Sequence, residues 1–211
     1  MISVVRRFSL VLFIALAVTA CASVPQPQSS LTSQFQESDR VIAGFDVDAV
    51  TDAPLDIIIA VKLDAPRDDV WALVGDHFRV KEWVPHMSES RLLEEVSTNR
   101  EFPIVATRQC VLHATGLTMT VVDDIVFEND FAYGYSINRQ RSKGPKPVRD
   151  HLGVFTAEET SDGGTLLTWR QYWRKGITGQ VAAPYMRRRF MEPAINNLIA
   201  LFGGERVDIS D

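Results

Sequence analysis

The chain has 211 residues, 45% of them hydrophobic and 23% charged, and a formal net charge of -5. That composition excludes global disorder and fits one domain of ordinary size with flanking segments. The acidic balance supplies no basic excess for nucleic acid, which is not expected as a partner. Two cysteines and four histidines are too few for a disulfide scaffold or a zinc ribbon.

Residues 1–20 read MISVVRRFSLVLFIALAVTA, with Arg6 and Arg7 ahead of an apolar stretch from Phe8 to Val18. About 11 helical residues span roughly 16 Å, well short of a bilayer core of about 30 Å. This is the pattern of a secretory signal peptide and not of a membrane span. Val18-Thr19-Ala20-Cys21 resembles the lipobox of bacterial lipoproteins. The resemblance implies cleavage before Cys21 and lipidation of that residue, and several acyl chains exceed what stable anchoring takes. Ala22 is unlike the aspartate of an inner-membrane retention signal. The implied place is the cell envelope, lipid-anchored, in the outer membrane facing the periplasm. Residues 21–50 are expected to be the lipidated N-terminus and a flexible tether. The stretch is rich in Pro, Gln and Ser, and about 25 such residues reach roughly 25–30 Å.

The folded domain is expected over 51–204, with 205–211 a short tail. Leu55–Leu63 (LDIIIAVKL) is a β-branched run that predicts a strand. A helix follows from Pro66 to Val74, with Asp68 and Asp69 in its first turn. A shorter helical piece covers 78–84. Strands are expected over 88–96, 103–113, 117–128, 131–138, 148–158 and 165–174. Asn129-Asp130 and Asp162-Gly163-Gly164 supply turns between them. Residues 181–202 carry apolar side chains at 186, 190, 194, 198 and 201–202, the helical spacing. Pro193 should kink that helix and Gly203-Gly204 should end it. One strand, two short helices, six strands and a long helix make an α+β fold.

Five short motifs in this order resemble the START-like (Bet v 1-like, helix-grip, SRPBCC) superfamily, in particular its polyketide cyclase/dehydrase and lipid-transport branch. They are Ala65–Trp71 (APRDDVW), Trp83, Arg108, Tyr133–Ile137 (YGYSI) and Thr165–Trp169 (TLLTW). The resemblance spans nearly all of 55–202. It implies a curved antiparallel sheet wrapped around a long C-terminal helix, with a ligand cavity between them. It does not by itself imply a chemistry.

The strands carry charges on their apolar faces. Residues two apart share a face. Ile104, Ala106, Arg108, Cys110 and Leu112 lie together, as do Leu117, Met119, Val121, Asp123, Ile125 and Phe127. Val148, Asp150, Leu152 and Val154 form a third such row, and Leu167, Trp169, Gln171 and Trp173 a fourth. An unpaired buried charge is very unfavourable. Mutual pairing, a solvated cavity, or a bulge that turns the residue outward are the three ways out. Aromatic and polarisable residues on the same rows, namely Tyr133, Tyr135, Trp169 and Met119, join Met186 and Phe190 of the helix. They suit either an ordinary core or the wall of an apolar ligand site.

Residues 139–149 read RQRSKGPKPVR, five of eleven basic in an acidic chain. The resemblance places this loop and the one near Thr115-Gly116 at the cavity entrance, where Arg139, Arg141, Lys143 and Lys146 would meet anionic headgroups or an acidic ligand. Arg187–Arg189 form a second basic cluster. No nucleophile elbow, phosphate loop, zincin or redox motif occurs, so no cofactor and no metal are expected. His77, His86, His113 and His151 show no ligand spacing. Cys110 lies in an apolar row and is expected to be inert. Three functions remain open. The first is binding, with or without carriage, of a hydrophobic or lipid-like molecule, oriented by Arg108, Asp123, Asp150 and Gln171. The second is a cyclase or dehydratase using Asp123 or Tyr135. The third is an envelope adaptor with a filled core.

Overall fold

The computed structural model describes residues 40–96, 100–114, 116–144, 148–175 and 177–208. The expected signal peptide, Cys21, most of the expected tether, Thr115 and Lys146 lie outside the described residues. After a two-strand hairpin, β1 (Val41–Ile42) and β2 (Phe45–Asp46), the chain makes a short 3-10 turn and enters β3 (Leu55–Leu63). Helices α1 (Arg67–Val74) and α2 (Val80–Trp83) lead to six strands: β4 (Met87–Leu92), β5 (Ala106–Ala114), β6 (Leu117–Asn129), β7 (Ala132–Ile137), β8 (Val148–Glu159) and β9 (Thr165–Lys175). Helices α3 (Ile177–Met186) and α4 (Glu192–Phe202) and a last strand β10 (Glu205–Val207) complete the chain.

The strands form an eight-stranded sheet in the order β10-β3-β9-β8-β7-β6-β5-β4. Strands β4 to β9 are a meander, so each pairs with its sequence neighbour. The crossover through α1 and α2 carries the chain from β3 to β4 at the far edge. The C-terminal helix lies on one face. Leu198, Ala194 and Ile195 of α4 are fully buried against Val61, Leu63 and Trp83, and Asn197 Nδ2 donates to Trp83 O at 2.9 Å. Leu201, expected on the apolar side, points to solvent at 59% exposure.

Pro193 acts as expected but not as a simple kink. Its nitrogen cannot donate to the carbonyl four residues back. The turn just before it, Arg187–Met191, widens into a π-helix, the register in which a helix absorbs an extra residue. Adjacent Phe190 and Met191 are both buried as a result. Gly203 (φ +74) and Gly204 (φ +105) then reverse the chain. A side chain on Gly204 would meet Lys62 O at 2.0 Å, so only glycine lets β10 lie along β3.

Residues 40–54 change the reading of the other face. Ile42, Val47 and Ala53 are buried against Val126, Leu152, Val154 and Tyr172, and Phe45 stacks on Phe127 at 4.0 Å. Arg40 donates to Ala53 O at 2.9 Å and lies over the Tyr172 ring at 5.5 Å. Residues 40–50, expected as part of the tether, thus belong to the fold and help to cover the sheet. The expected C-terminal tail contributes β10.

Candidate functional site

Between the inner face of the sheet and the helices lies a cavity of about 340 Å³, within the range of small-molecule sites. Strand alternation builds its walls. Strand β5 contributes Arg108, Cys110 and Leu112. Strand β6 contributes Met119 and Asp123, and β7 contributes Tyr133 and Tyr135. Trp169 and Gln171 come from β9, and Met186 and Phe190 from the C-terminal helix and its π turn. All eleven were expected on the wall from the sequence.

Asp150 and Leu152 were expected there too, and the structure corrects both. Strand β8 carries a bulge between Arg149 and Leu152, where Asp150 adopts φ +46. Its carboxylate turns outward at 55% side-chain exposure, 3.3 Å from Arg174 Nε. Leu152 is fully buried, but on the opposite face, under the cover formed by residues 40–54. Both faces of β8 are apolar because both are covered, so alternation alone did not reveal which face is inside. The inner row is His151, Gly153 and Phe155, and His151 and Phe155 line the cavity. Trp173, Trp83, Val84 and Met87 line it as well. Apolar Ile42, Val47 and Ala53 were the sequence signal for a covered outer face, and hence for His151 facing inward.

All three ways of housing a buried charge occur. Asp150 leaves through a bulge. Arg108 and Asp123 pair, Nη2 to Oδ2 at 2.9 Å, with 3% and 4% exposure. They do so on a cavity wall. Arg108 Nη1 also lies 3.4 Å from His77 Nδ1. An arginine can only donate, so His77 accepts there and carries its hydrogen on Nε2, facing Glu128 Oε1 at 3.6 Å. The guanidinium stacks over Tyr135 at 5.3 Å. Two polar atoms of the pair, Arg108 Nε and Asp123 Oδ1, have no hydrogen-bond partner among the described residues.

A second network fixes a hydroxyl. Ile137 N–H donates to His151 Nδ1 at 3.3 Å, so His151 carries its hydrogen on Nε2 and donates to Gln171 Oε1 at 2.7 Å. The Gln171 amide nitrogen then faces Tyr135 and donates to its hydroxyl oxygen at 2.8 Å. Trp169 Nε1 donates to the same oxygen at 3.2 Å. With both acceptor positions filled, the Tyr135 hydrogen is left to donate elsewhere. Burial raises the Tyr135 pKa, so this group stays a donor. Burial also lowers His151 and His77 to about 4, which keeps both rings neutral. It pushes the Cys110 thiol to about 11, which makes it a poor nucleophile. The resulting interior is apolar, carries no net charge, and offers a few aimed donors and one acceptor.

The fold and the hollow define a helix-grip α+β protein. The family model for polyketide cyclase/dehydrase and lipid transport matches residues 57–203, and the chain belongs to that family. Among solved structures, the protein XoxI from Bacillus cereus matches with a TM-score of 0.55 and 19% identity, over 69% of this chain and 94% of that one. The Zhui aromatase/cyclase from Streptomyces sp. R1128 matches at 0.54 and 14%, over 70% and 93%. A START superfamily protein from Mycobacterium smegmatis matches at 0.52 and 11%, over 71% and 97%. These likenesses show the fold. No curated protein matches the chain in sequence.

Proposed function

We propose that this protein binds, and carries within the cell envelope, an uncharged apolar molecule with a hydrogen-bonding end. The observation that carries the reading is the leftover polar set on an otherwise apolar wall. Arg108 Nε and Asp123 Oδ1 have no partner among the described residues, and the Tyr135 hydroxyl is oriented by two incoming bonds. A buried group without a partner is destabilising. A ligand with both an acceptor and a hydroxyl would meet these groups, and the aromatics would cover its apolar body. The Arg108–Asp123 pair already balances its own charge, so an anionic head inside the cavity gains no free cation. Anchoring through Cys21, with the domain facing the periplasm, is part of the same proposal and rests on the lipobox resemblance. The test is to purify residues 22–211, extract with organic solvent and analyse the extract by mass spectrometry. A stoichiometric neutral species, displaced by N-phenyl-1-naphthylamine, is expected. An empty extract together with no uptake of that probe overturns the reading.

One observation favours a cyclase or dehydratase on a polyketide-like substrate as the second reading. Tyr135 O–H and Asp123 Oδ1 are an available donor and an acceptor without a described partner on one wall of the cavity. Asp123 would take a proton from carbon next to a carbonyl whose oxygen Tyr135 holds. Turnover of the extracted species, abolished by Asp123→Asn with binding retained, separates this reading from carriage.

A further inference from the structure

We propose that the rim of the cavity docks on an anionic lipid surface, so that the hollow opens onto the membrane. The walls are buried except where they reach the rim. There Leu117 is 56% exposed and Tyr185 40%, and both line the opening. Scattered exposed apolar residues are ordinary on a protein surface. These two share one rim with Arg139 and Lys143, which also line the cavity, and Lys143 is exposed. The chain as a whole is acidic, at -5. Among the lining residues the one carboxylate is Asp123, buried and paired with Arg108. The rim is therefore partly apolar and carries the exposed Lys143, on an acidic molecule. A tyrosine suits the headgroup level, a leucine the layer beneath it, and the cations the lipid phosphates.

The place where the chain enters the fold gives an independent indication. Leu117 opens β6, and the rim lies at the end of the sheet where β3, β6 and β8 begin and β9 ends. Arg40 is held at that same end, by Ala53 O and over Tyr172, three residues before the end of β9. Arg40, the first described residue, thus lies on the rim side. If a membrane holds Cys21, the shortest approach presents the opening. Docking does not depend on which ligand occupies the hollow, or on lipidation.

The test uses residues 22–211, which retain every described residue. Flotation with phosphatidylcholine vesicles, with and without phosphatidylglycerol, measures binding. Binding that requires phosphatidylglycerol and is lost in high salt is expected. Arg139→Glu with Lys143→Glu should weaken it at least tenfold, since each cation near such a surface is worth about fivefold. Lys62→Glu with Arg206→Glu makes the same charge change at the opposite end of the sheet and should leave binding within about twofold, as screening confines the effect to about 10 Å. A fluorophore on Leu117→Cys should shift to the blue on these vesicles, and the same dye on Asp162→Cys should not. Cys110, 2% exposed, stays unlabelled. Absence of phosphatidylglycerol-dependent binding overturns the proposal. So does an equal loss in both charge-reversal pairs, or an equal shift of both dyes. Uptake of N-phenyl-1-naphthylamine, measured without vesicles, reports the cavity separately, so failure of docking and failure of ligand binding are distinct results.

Discussion

Asp123 and Asp124 are neighbours in β6, both buried, and they face opposite sides of the sheet. Asp124, on the outer side, is fully served. Thr107 Oγ1 donates to it at 3.2 Å, Asn138 Nδ2 at 3.0 Å, and Arg100 Nε lies 3.3 Å away. Asp123, on the inner side, has Arg108 on one oxygen and no partner among the described residues on the other. The outer face is closed by the protein's own chain, through residues 40–54 and Phe102. The inner face is roofed by helices that leave a hollow. A face that the chain itself closes satisfies its buried carboxylate at both oxygens. The hollow face keeps one oxygen over for something that is not part of the chain.

The largest expected effect comes from breaking the inner pair. Arg108→Leu leaves Asp123 as an uncompensated buried charge and should lower the unfolding free energy by about 3–5 kcal/mol in urea melts. Adding Asp123→Leu should recover most of that loss, because an apolar pair can replace a buried ion pair at little net change. Uptake of a neutral hydroxylated ligand should stay impaired in the double variant. A double variant as unstable as the single one would mean that the pair's charges are not what sets the stability of this face.

Acid should unsettle the inner face next. His77 and His151 stay neutral down to about 4 in the folded protein because burial opposes their charge. In the unfolded chain an imidazole takes up its proton near pH 6.5. Between those values the unfolded state holds more protons, so stability falls as pH falls through that window. The loss is on the order of 3 kcal/mol for each ring. Urea melts at pH 7, 6, 5 and 4 measure it, and His151→Gln should remove about half of the slope. A profile that is flat over this window contradicts the neutral, buried assignment of the rings.

The same contrast shows how much was legible in the sequence. Strand β3 was readable at both ends from its β-branched run, and Pro66 and Gly203-Gly204 bounded the helices because their backbone chemistry leaves few options. Arg108, Asp123 and Gln171 were readable as inward because their rows are otherwise apolar. Strand β8 was not readable in this way. Its two faces are equally apolar, and its bulge at Asp150 is marked by neither glycine nor proline. The π turn was also hidden, since Pro193 announces a disturbance but not its form. The cover of residues 40–54 was lost in a composition that reads as tether, because its three buried apolar residues show no simple period. What escaped the sequence was long-range: which segment covers which face.

Two glycines sharpen the comparison at a smaller scale. An added Cβ on Gly134 would lie 2.3 Å from Phe127 Cε1, on the closed outer face. One on Gly153 would lie 2.4 Å from Tyr135 Cε1, on the hollow inner face. Overpacking costs about 1–3 kcal/mol, with the higher figure where neighbours cannot move. Phe127 is held against Phe45, so Gly134→Ala should lie near the upper limit and leave ligand uptake unchanged. Tyr135 borders open space and can yield once the bonds from Gln171 and Trp169 are given up, so Gly153→Ala should cost about 1–2 kcal/mol and weaken uptake by displacing the hydroxyl. Thermal melts and probe titrations read both, and a reversed ranking would argue against a hollow beside Tyr135.

The smallest effect is expected at Asp150, the carboxylate that the row pattern placed inside and the bulge turns out. Its contact with Arg174 is half exposed on both sides, and Arg174 also pairs with Asp52. Exposed ion pairs of this kind contribute about 0–1 kcal/mol. Asp150→Asn keeps the side-chain shape, keeps a residue type that tolerates positive φ, and leaves the backbone carbonyl that accepts from Thr51 at 3.0 Å. It should change stability by less than about 1 kcal/mol and leave ligand uptake unaltered, whereas Asp123→Asn should change uptake. The two substitutions remove the same charge from strands of the same sheet. A clear loss of uptake in Asp150→Asn would mean that the wall of the cavity reaches beyond the bulge, and that β8 presents its other face to the ligand.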